Sequence, residues 1–280
     1  MDLANVPLNE GDIIEKVELK DDMVHFMLPQ DPIPGNAVIA VKDVNGTILW
    51  SWHIWVVDFE PEATSHKMKS GAVMMDRNLG ALSVIPGDFK SLGLYYQWGR
   101  KDPFVGMYSN GSENPVKTAP TDAISIVSPD DNTNRLEYCV MNPNVIVDDT
   151  SWNSDNSLWG EQKTKYDPCP VGWRVPSGSV WSGESPDNSS STGSYVILKD
   201  TKALYPSAGY VDYGYMSDYN YKGHYWTLQS SQTVTYYGWD SFSTGQWGAL
   251  DVQQSVRCMK EDPKQSGDNE GYKENEDYEW

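Results

Sequence analysis

Trp50, Trp52, His53 and Trp55 crowd six consecutive residues of the stretch TILWSWHIWVVDF. An imidazole among indoles could ligate a metal or move a proton. A metal centre, however, needs several donors that converge, and His25, His66 and His224 show neither His-x-His nor His-x-x-x-His spacing. His53 is therefore read as a hydrogen-bonded side chain in a packed strand, and the three tryptophans as packing against a core or a neighbouring domain. The cysteines, Cys139, Cys169 and Cys258, have no C-x-x-C partner, which argues against a zinc knuckle or a thioredoxin-type centre. They allow at most one internal disulfide and leave one thiol over. With 40 acidic side chains, some carboxylate pair must fall within glycosidase range by chance, but no spacing selects one. Asp148-Asp149 and residues 153–156 offer hard oxygen donors for calcium, yet lack the spaced acidic pattern and glycine of a calcium loop. The expectation is a non-catalytic chain without a cofactor, calcium being chemically possible but unsupported by any recognisable motif.

The densest chemistry lies in residues 205–248, which hold nine tyrosines and three tryptophans among glycine, serine, aspartate and asparagine, with few aliphatics. Tyrosine offers broad contact area and a hydroxyl at low entropic cost, and small polar residues adapt their hydrogen bonds, which is how loop paratopes are built. Tyr213, Tyr215, Tyr219, Tyr221, Tyr236, Tyr237, Trp239 and Asp240 are the candidate ligand contacts. Tyr225-Trp226, on the strand-like HYWTLQS, is assigned instead to the core. On a sugar, aromatic faces would stack against C–H surfaces while Asp or Asn accepts hydroxyl hydrogen bonds.

Composition narrows the partners. The formal charge is −19, from 21 basic and 40 acidic residues, which repels nucleic acid and anionic lipid surfaces. No apolar run approaches the length of a membrane span. Aromatics make up 12% of the chain, and its 17 tyrosines and 12 tryptophans far outnumber its 5 phenylalanines, so rings with a polar edge dominate both core and surface.

These groups must be carried by elements. Alternating apolar positions on either side of Asp21-Asp22 predict a hairpin, and Asn45-Gly46 predicts a second. On the strand after Asn45-Gly46, Trp50, Trp52, Ile54 and Val56 share one face and Leu49, Ser51, His53, Trp55 and Val57 the other. Both faces are apolar, so the strand is expected to be covered on both. A boundary falls after Asp58. Residues 87–102 show aromatic and apolar residues at near-helical spacing behind an Asp88 cap, predicting a helix; a strand is predicted at 136–141 within a long loop-like region, 103–165. Residues 182–194 read as a flexible loop. Residues 261–280 hold eight acidic and two basic side chains and read as a disordered acidic tail.

Four stretches, MDRNLGA at 75–81, GLYYQWGRKDPF at 93–104, CPVGWRVPS at 169–177 and SVRCMK at 255–260, resemble the Fibrobacter major paralogous domain found in Bacteroidales surface proteins. The preceding GNAVIAVKDVNGTILWSWHIW is similar to the segment that leads into this domain in fimbrillin-type proteins. The resemblance covers about residues 10–260. It implies an α+β fold: a β-rich N-terminal segment, 1–58, then a C-type-lectin-like domain, 59–260, with few helices, long loops and its first and last strands lying together. It further implies an exported cell-surface protein, a pilus-associated adhesin that binds a glycan or a protein and meets other pilus subunits, without entering the membrane. A structural pilin and a polysaccharide-acting enzyme are the alternatives. The chain departs from calcium-dependent lectins, having only Glu113-Asn114-Pro115 and Ser151-Trp152-Asn153 where those carry Glu-Pro-Asn and Trp-Asn-Asp. It also departs where family members open a helix after the third motif, since residues 177–193 are too rich in Gly, Ser and Pro to sustain one. Cys169 and Cys258 lie in two of the motifs, where export would allow a disulfide between them; two buried thiols are the equal alternative, and Cys139 is left over in either case.

Overall fold

The structure is a computed structural model and describes residues 13–105, 125–130, 133–149, 157–212, 215–230, 232–237 and 242–262. Two hairpins open it. In the first, β1 (Lys16–Lys20) pairs with β2 (Met23–Met27), and Asp21 and Asp22 both turn through positive φ, 53° and 60°. Short polar side chains tolerate that region, which matches the right-handed twist of the flanking strands. In the second, β3 (Gly35–Lys42) pairs with β4 (Ile48–Val56). There Gly46 takes φ of 87° while the Asp43 carboxylate accepts from the Asn45 and Thr47 amides at 2.9 and 2.8 Å.

The expected burial of β4 on both faces is not found. β3 and β4 form a two-stranded ribbon, so cover comes only where the rest of the chain reaches it. Ser51 is buried and donates to Asp102 Oδ1 at 2.6 Å, Asn36 Nδ2 donates to the Gly80 carbonyl at 2.8 Å, and Lys101 lies 4.5 Å over the Trp50 ring while donating to both Asp102 oxygens. Trp52, by contrast, is 37% exposed, and Leu49 is open as well.

A single turn, α1 (Pro61–Thr64), and two short strands, β5 (His66–Lys67) and β6 (Val73–Met74), come next. The helix predicted over 87–102 is corrected. Asp88 does cap a turn, accepting from the Lys90 amide at 3.0 Å, but that turn is one 3-10 turn, Phe89–Ser91. Gly93 then takes φ of +76°, and a Cβ there would stand 2.7 Å from the Leu79 carbonyl oxygen, so the chain leaves helical geometry at the one residue type that fits. It continues as β7 (Tyr95–Gln97), whose residues are buried on both faces. The strand predicted at 136–141 is also corrected: β8 (Ser125–Val127) and β9 (Val145–Val147) run parallel, and between them lies helix α2 (Arg135–Met141), started by Asn134 accepting from the Glu137 amide.

The remaining strands are β10 (Trp173–Arg174), β11 (Tyr195–Ile197), β12 (Leu204–Pro206), β13 (Tyr210–Asp212), β14 (Tyr215–Ser217), β15 (Lys222–Trp226), β16 (Gln232–Tyr237), β17 (Ser243–Trp247), β18 (Gln253–Ser255) and β19 (Met259–Lys260). The central sheet has the order β14-β13-β18-β15-β16-β17, with β7 also paired to β18; a smaller sheet runs β10-β19-β6-β5. The first and last motifs are thus neighbours, the Met75 and Leu79 amides donating to the Cys258 and Val256 carbonyls, each at 2.9 Å. The protein is mostly β, with two short α-helices among the described residues. Among the described residues no helix is long and apolar enough to cross a membrane, which says nothing of a strand-built span.

Two packing features bind the motifs together. Arg257 is fully buried and satisfies its guanidinium on Asn78 Oδ1 at 3.0 and 2.8 Å and on the Leu204 carbonyl at 2.9 Å, while lying 4.1 Å over the Tyr205 ring. A buried cation must find such acceptors or it destabilises the fold. Cys169 and Cys258 form a disulfide, resolving the two alternatives, and Cys139 is a free, buried thiol. After the third motif the chain makes only a 3-10 turn, Gly178–Trp181. The stretch expected to be flexible is tied down by the buried Glu184, which accepts from the Lys69 amide at 2.6 Å, and by Asp187, which accepts from Ser189 Oγ and Lys202 Nζ, both at 2.6 Å. Glu261, assigned to the tail, is buried and donates its amide to the Gly172 carbonyl at 2.8 Å; residues 263–280 lie outside the described residues.

Candidate functional site

Histidine 53 makes no reactive centre. Its Nε2 sits 2.9 Å from Asn36 Oδ1 and its Nδ1 3.2 Å from the Tyr96 hydroxyl, and burial pulls it down to about 4, so the ring is neutral and joins ribbon to domain.

The tyrosine-rich segment divides. Tyr205, Tyr225, Trp226 and Tyr236 are fully buried. Tyr225 packs edge-on to Tyr205 at 5.6 Å and stacks with Tyr236 at 6.1 Å, and the Tyr236 hydroxyl donates to the Tyr205 carbonyl at 2.5 Å. Tyr236, a predicted ligand contact, is therefore a core residue, because β16 lies inside the central sheet between β15 and β17. Tyr219 is half-buried against the small cluster of Leu92, Tyr95, Ala208 and Val211. Tyr215 and Tyr221 are 63% and 58% exposed, as an accessible contact requires. Tyr237 ends β16, its side chain lying outside the described set, as do Tyr213, Trp239 and Asp240. Trp247, which the segment contained but the candidate set did not, is 75% exposed on β17, an edge strand.

Tyr215 and Tyr221 are presented by the edge strand β14 and the turn after it. Asp218 and Asn220 reverse the chain there at φ of 57° and 58°. His224 Nε2 lies 2.9 Å from Asp218 Oδ2, and this hydrogen bond holds the Asp218 carboxyl below its ordinary value. Burial lowers His224, so the neutral ring donates that bond. Gly209 lets the turn approach: a Cβ on it would meet the Ser217 carbonyl oxygen at 2.1 Å.

Beside Tyr215 is a group that sequence reasoning missed. Asp212 is directly opposite Tyr215 in the β13–β14 ladder, and directly opposed residues share a face. Asp212, Asp148 and Asp251 line one notch with Ile126 and Ile146. Gln97 sets part of it, donating to the Val147 carbonyl at 2.8 Å and the Asp251 carbonyl at 3.0 Å, which fixes β9 against the start of β18. Burial, with the charges of Asp212 and Asp148, raises the Asp251 carboxyl above its ordinary value. Of the three, only Asp148 was singled out from the sequence. Asp212 and Asp251 carry no local signal, and only the adjacency of β13 and β18 brings them together. Among the described residues no three His, Cys, Asp or Glu side chains gather in an arrangement that would hold a metal ion.

Comparison of the chain with protein-family models, with curated proteins and with solved structures finds no match.

Proposed function

We propose that this chain is a non-catalytic, exported cell-surface adhesin, pilus-associated and built on a C-type-lectin-like domain of the Fibrobacter major paralogous type, which holds a glycan or protein ligand on the face around Tyr215 and Tyr221. The observation that carries the reading is the exposure of these two rings in a segment whose other tyrosines, where their side chains are described, are buried or half-buried. Large rings with a hydroxyl lose solvent at small entropic cost when a ligand covers them, and such residues dominate binding energies. The four motifs, and the hydrogen bonds from the Met75 and Leu79 amides of the first to the Cys258 and Val256 carbonyls of the last, support the domain assignment.

The test is a glycan-array and host-protein binding screen of the full chain, run with and without calcium, followed by Tyr215→Ala and Tyr221→Ala. Each substitution is expected to weaken a detected ligand by about tenfold or more, the range of an aromatic contact residue. A ligand bound equally well by both variants would overturn the site.

A structural pilin is the second reading, and the N-terminal ribbon favours it. Among the described residues β3 pairs only with β4, and Trp52 and Leu49 are open on its two faces, so the ribbon offers a strand edge and exposed apolar side chains to another subunit. Concentration-dependent assembly seen by sedimentation, with no ligand in the screen, would select it.

A further inference from the structure

Exposed aromatic rings mark both edges of the central sheet, Tyr215 on β14 and Trp247, the more exposed of the two, on β17. With β13, β15 and β16 between them, the two edges are about 20 Å apart at the ordinary strand spacing, too far to share one sugar unit. A lone exposed tryptophan is ordinary surface, but the surroundings of Trp247 form a built platform. Its backbone is anchored on one side: a Cβ on Gly248 would stand 2.8 Å from Cζ3 of the fully buried Trp226, and Leu250 then enters the main core. On the other side there is room, because a Cβ on Gly245 would meet nothing within 4 Å. Gln232 is exposed and directly opposite Trp247 in the β16–β17 ladder, so its amide shares the face of the indole. Val234, two residues on, lies on that face too, and a Cβ on Gly178 would pack 3.6 Å from it. The 3-10 turn Gly178–Trp181 therefore borders the platform and brings the exposed Ser179, whose hydroxyl lies 3.1 Å from that of Ser177.

The chemistry of these groups selects a ligand. In a chain of net charge −19, neither β17 nor Gln232 nor residues 177–179 carry a charge, so they offer nothing to a basic peptide or to an anion. A pyranose fits what they do offer: its C–H face covers the electron-rich face of an indole, while its hydroxyls exchange hydrogen bonds with a neutral amide and with serine. We propose that Trp247 is the stacking platform of a subsite for a neutral hexopyranose of a glycan, with Gln232 and Ser179 binding the ring hydroxyls. The assignment rests on the ligand-binding reading, names a glycan as the ligand and adds a second contact area, at the far edge of the sheet from Tyr215.

The test titrates the full chain, isotopically labelled, with lactose, cellobiose, maltose and mannobiose, and follows by NMR the Trp247 indole resonance, identified by its loss in Trp247→Phe. A saturable shift of that indole and of the Gln232 side-chain amide is expected with at least one of the four. Trp247→Ala should abolish the shift at Gln232, Trp247→Phe should keep it with affinity reduced about threefold, and Gln232→Ala should weaken binding about fivefold, the dispersion of the spectrum being unchanged in each. No saturable shift with any of the four sugars, an unaltered Gln232 response in Trp247→Ala, or tighter binding of galacturonate or glucosamine would each overturn the proposal. So would an indole shift that follows protein concentration without sugar, which would make a second copy of the chain the occupant. The two readings fail separately. An array ligand lost in Tyr215→Ala and kept in Trp247→Ala, with no sugar-induced shift at the indole, would refute the platform and leave the tyrosine face; one lost in Trp247→Ala and kept in both tyrosine variants would do the reverse.

Discussion

The hairpin β15–β16 and the strand β14 with its following turn use the same residue types, tyrosine among glycine, serine, threonine and aspartate, yet the hairpin buries Tyr225 and Tyr236 while the edge presents Tyr215 and Tyr221 to solvent. The difference is one of place in the sheet. β15 lies between β18 and β16, and Trp181 packs 6.0 Å from the Tyr225 ring. β14 ends the order, so its outer side has no strand to bury it. Composition selects residues able to serve either as core or as contact surface, and neighbour count decides which.

The largest expected effect tests that contrast directly. Tyr225→Ala or Tyr236→Ala should cost about 3–5 kcal/mol of stability, the range for removing a large buried ring, whereas Tyr215→Ala and Tyr221→Ala should stay within about 0.5 kcal/mol. Denaturant unfolding of the four variants measures it, and equal losses from both pairs would break the comparison.

A smaller effect sharpens the packing on the hairpin. Gly223 faces Tyr236, and a Cβ on it would stand 2.1 Å from the ring carbon Cε1. Gly223→Ala should therefore cost about 1–3 kcal/mol by overpacking. The same unfolding experiment checks it; a neutral result would mean that the Tyr236 ring can move aside.

The smallest effect separates two carboxylates by sign. Asp218 is held below its ordinary value by His224, so its contribution to stability is present above the unfolded-state value of about 3.9 and is lost as pH falls through the lower folded value. Asp251 is raised, so its ionised form lowers stability above the folded value, and acidification through the interval down to about 3.9 restores it. Asp218→Asn should thus lower the neutral-pH melting temperature, and Asp251→Asn should raise it while removing the gain on acidification. Melting curves from about pH 3 to pH 7 decide the matter, and a drop for Asp251→Asn would contradict the destabilisation of its ionised form by burial and by Asp212 and Asp148.

Features that depend on a few adjacent residues were legible. Asp21-Asp22 and Asn45-Gly46 specify their hairpins because positive φ and side-chain capping are local. The α2 start was legible in principle, since Asn134 followed by Glu137 is a helix-opening pattern, but the apolar run at 136–141 reads as readily as a strand. Residues 87–102 misled for a stronger reason: their aromatic spacing fits a helix only if one face is buried, whereas β7 pairs edge to edge with β18 and is buried on both faces. The candidate contacts divided on the same ground, Tyr215 and Tyr221 outward and Tyr236 inward.

By itself the sequence determined the turns, the net negative charge, the concentration of polar-edged aromatics in residues 205–248, and a cysteine count that permits one bridge. Only the tertiary structure decided which tyrosines face water and which aspartates meet. Burial and like-charge proximity are properties of strand order, and Asp148, Asp212 and Asp251 lie too far apart along the chain for any local rule to join them.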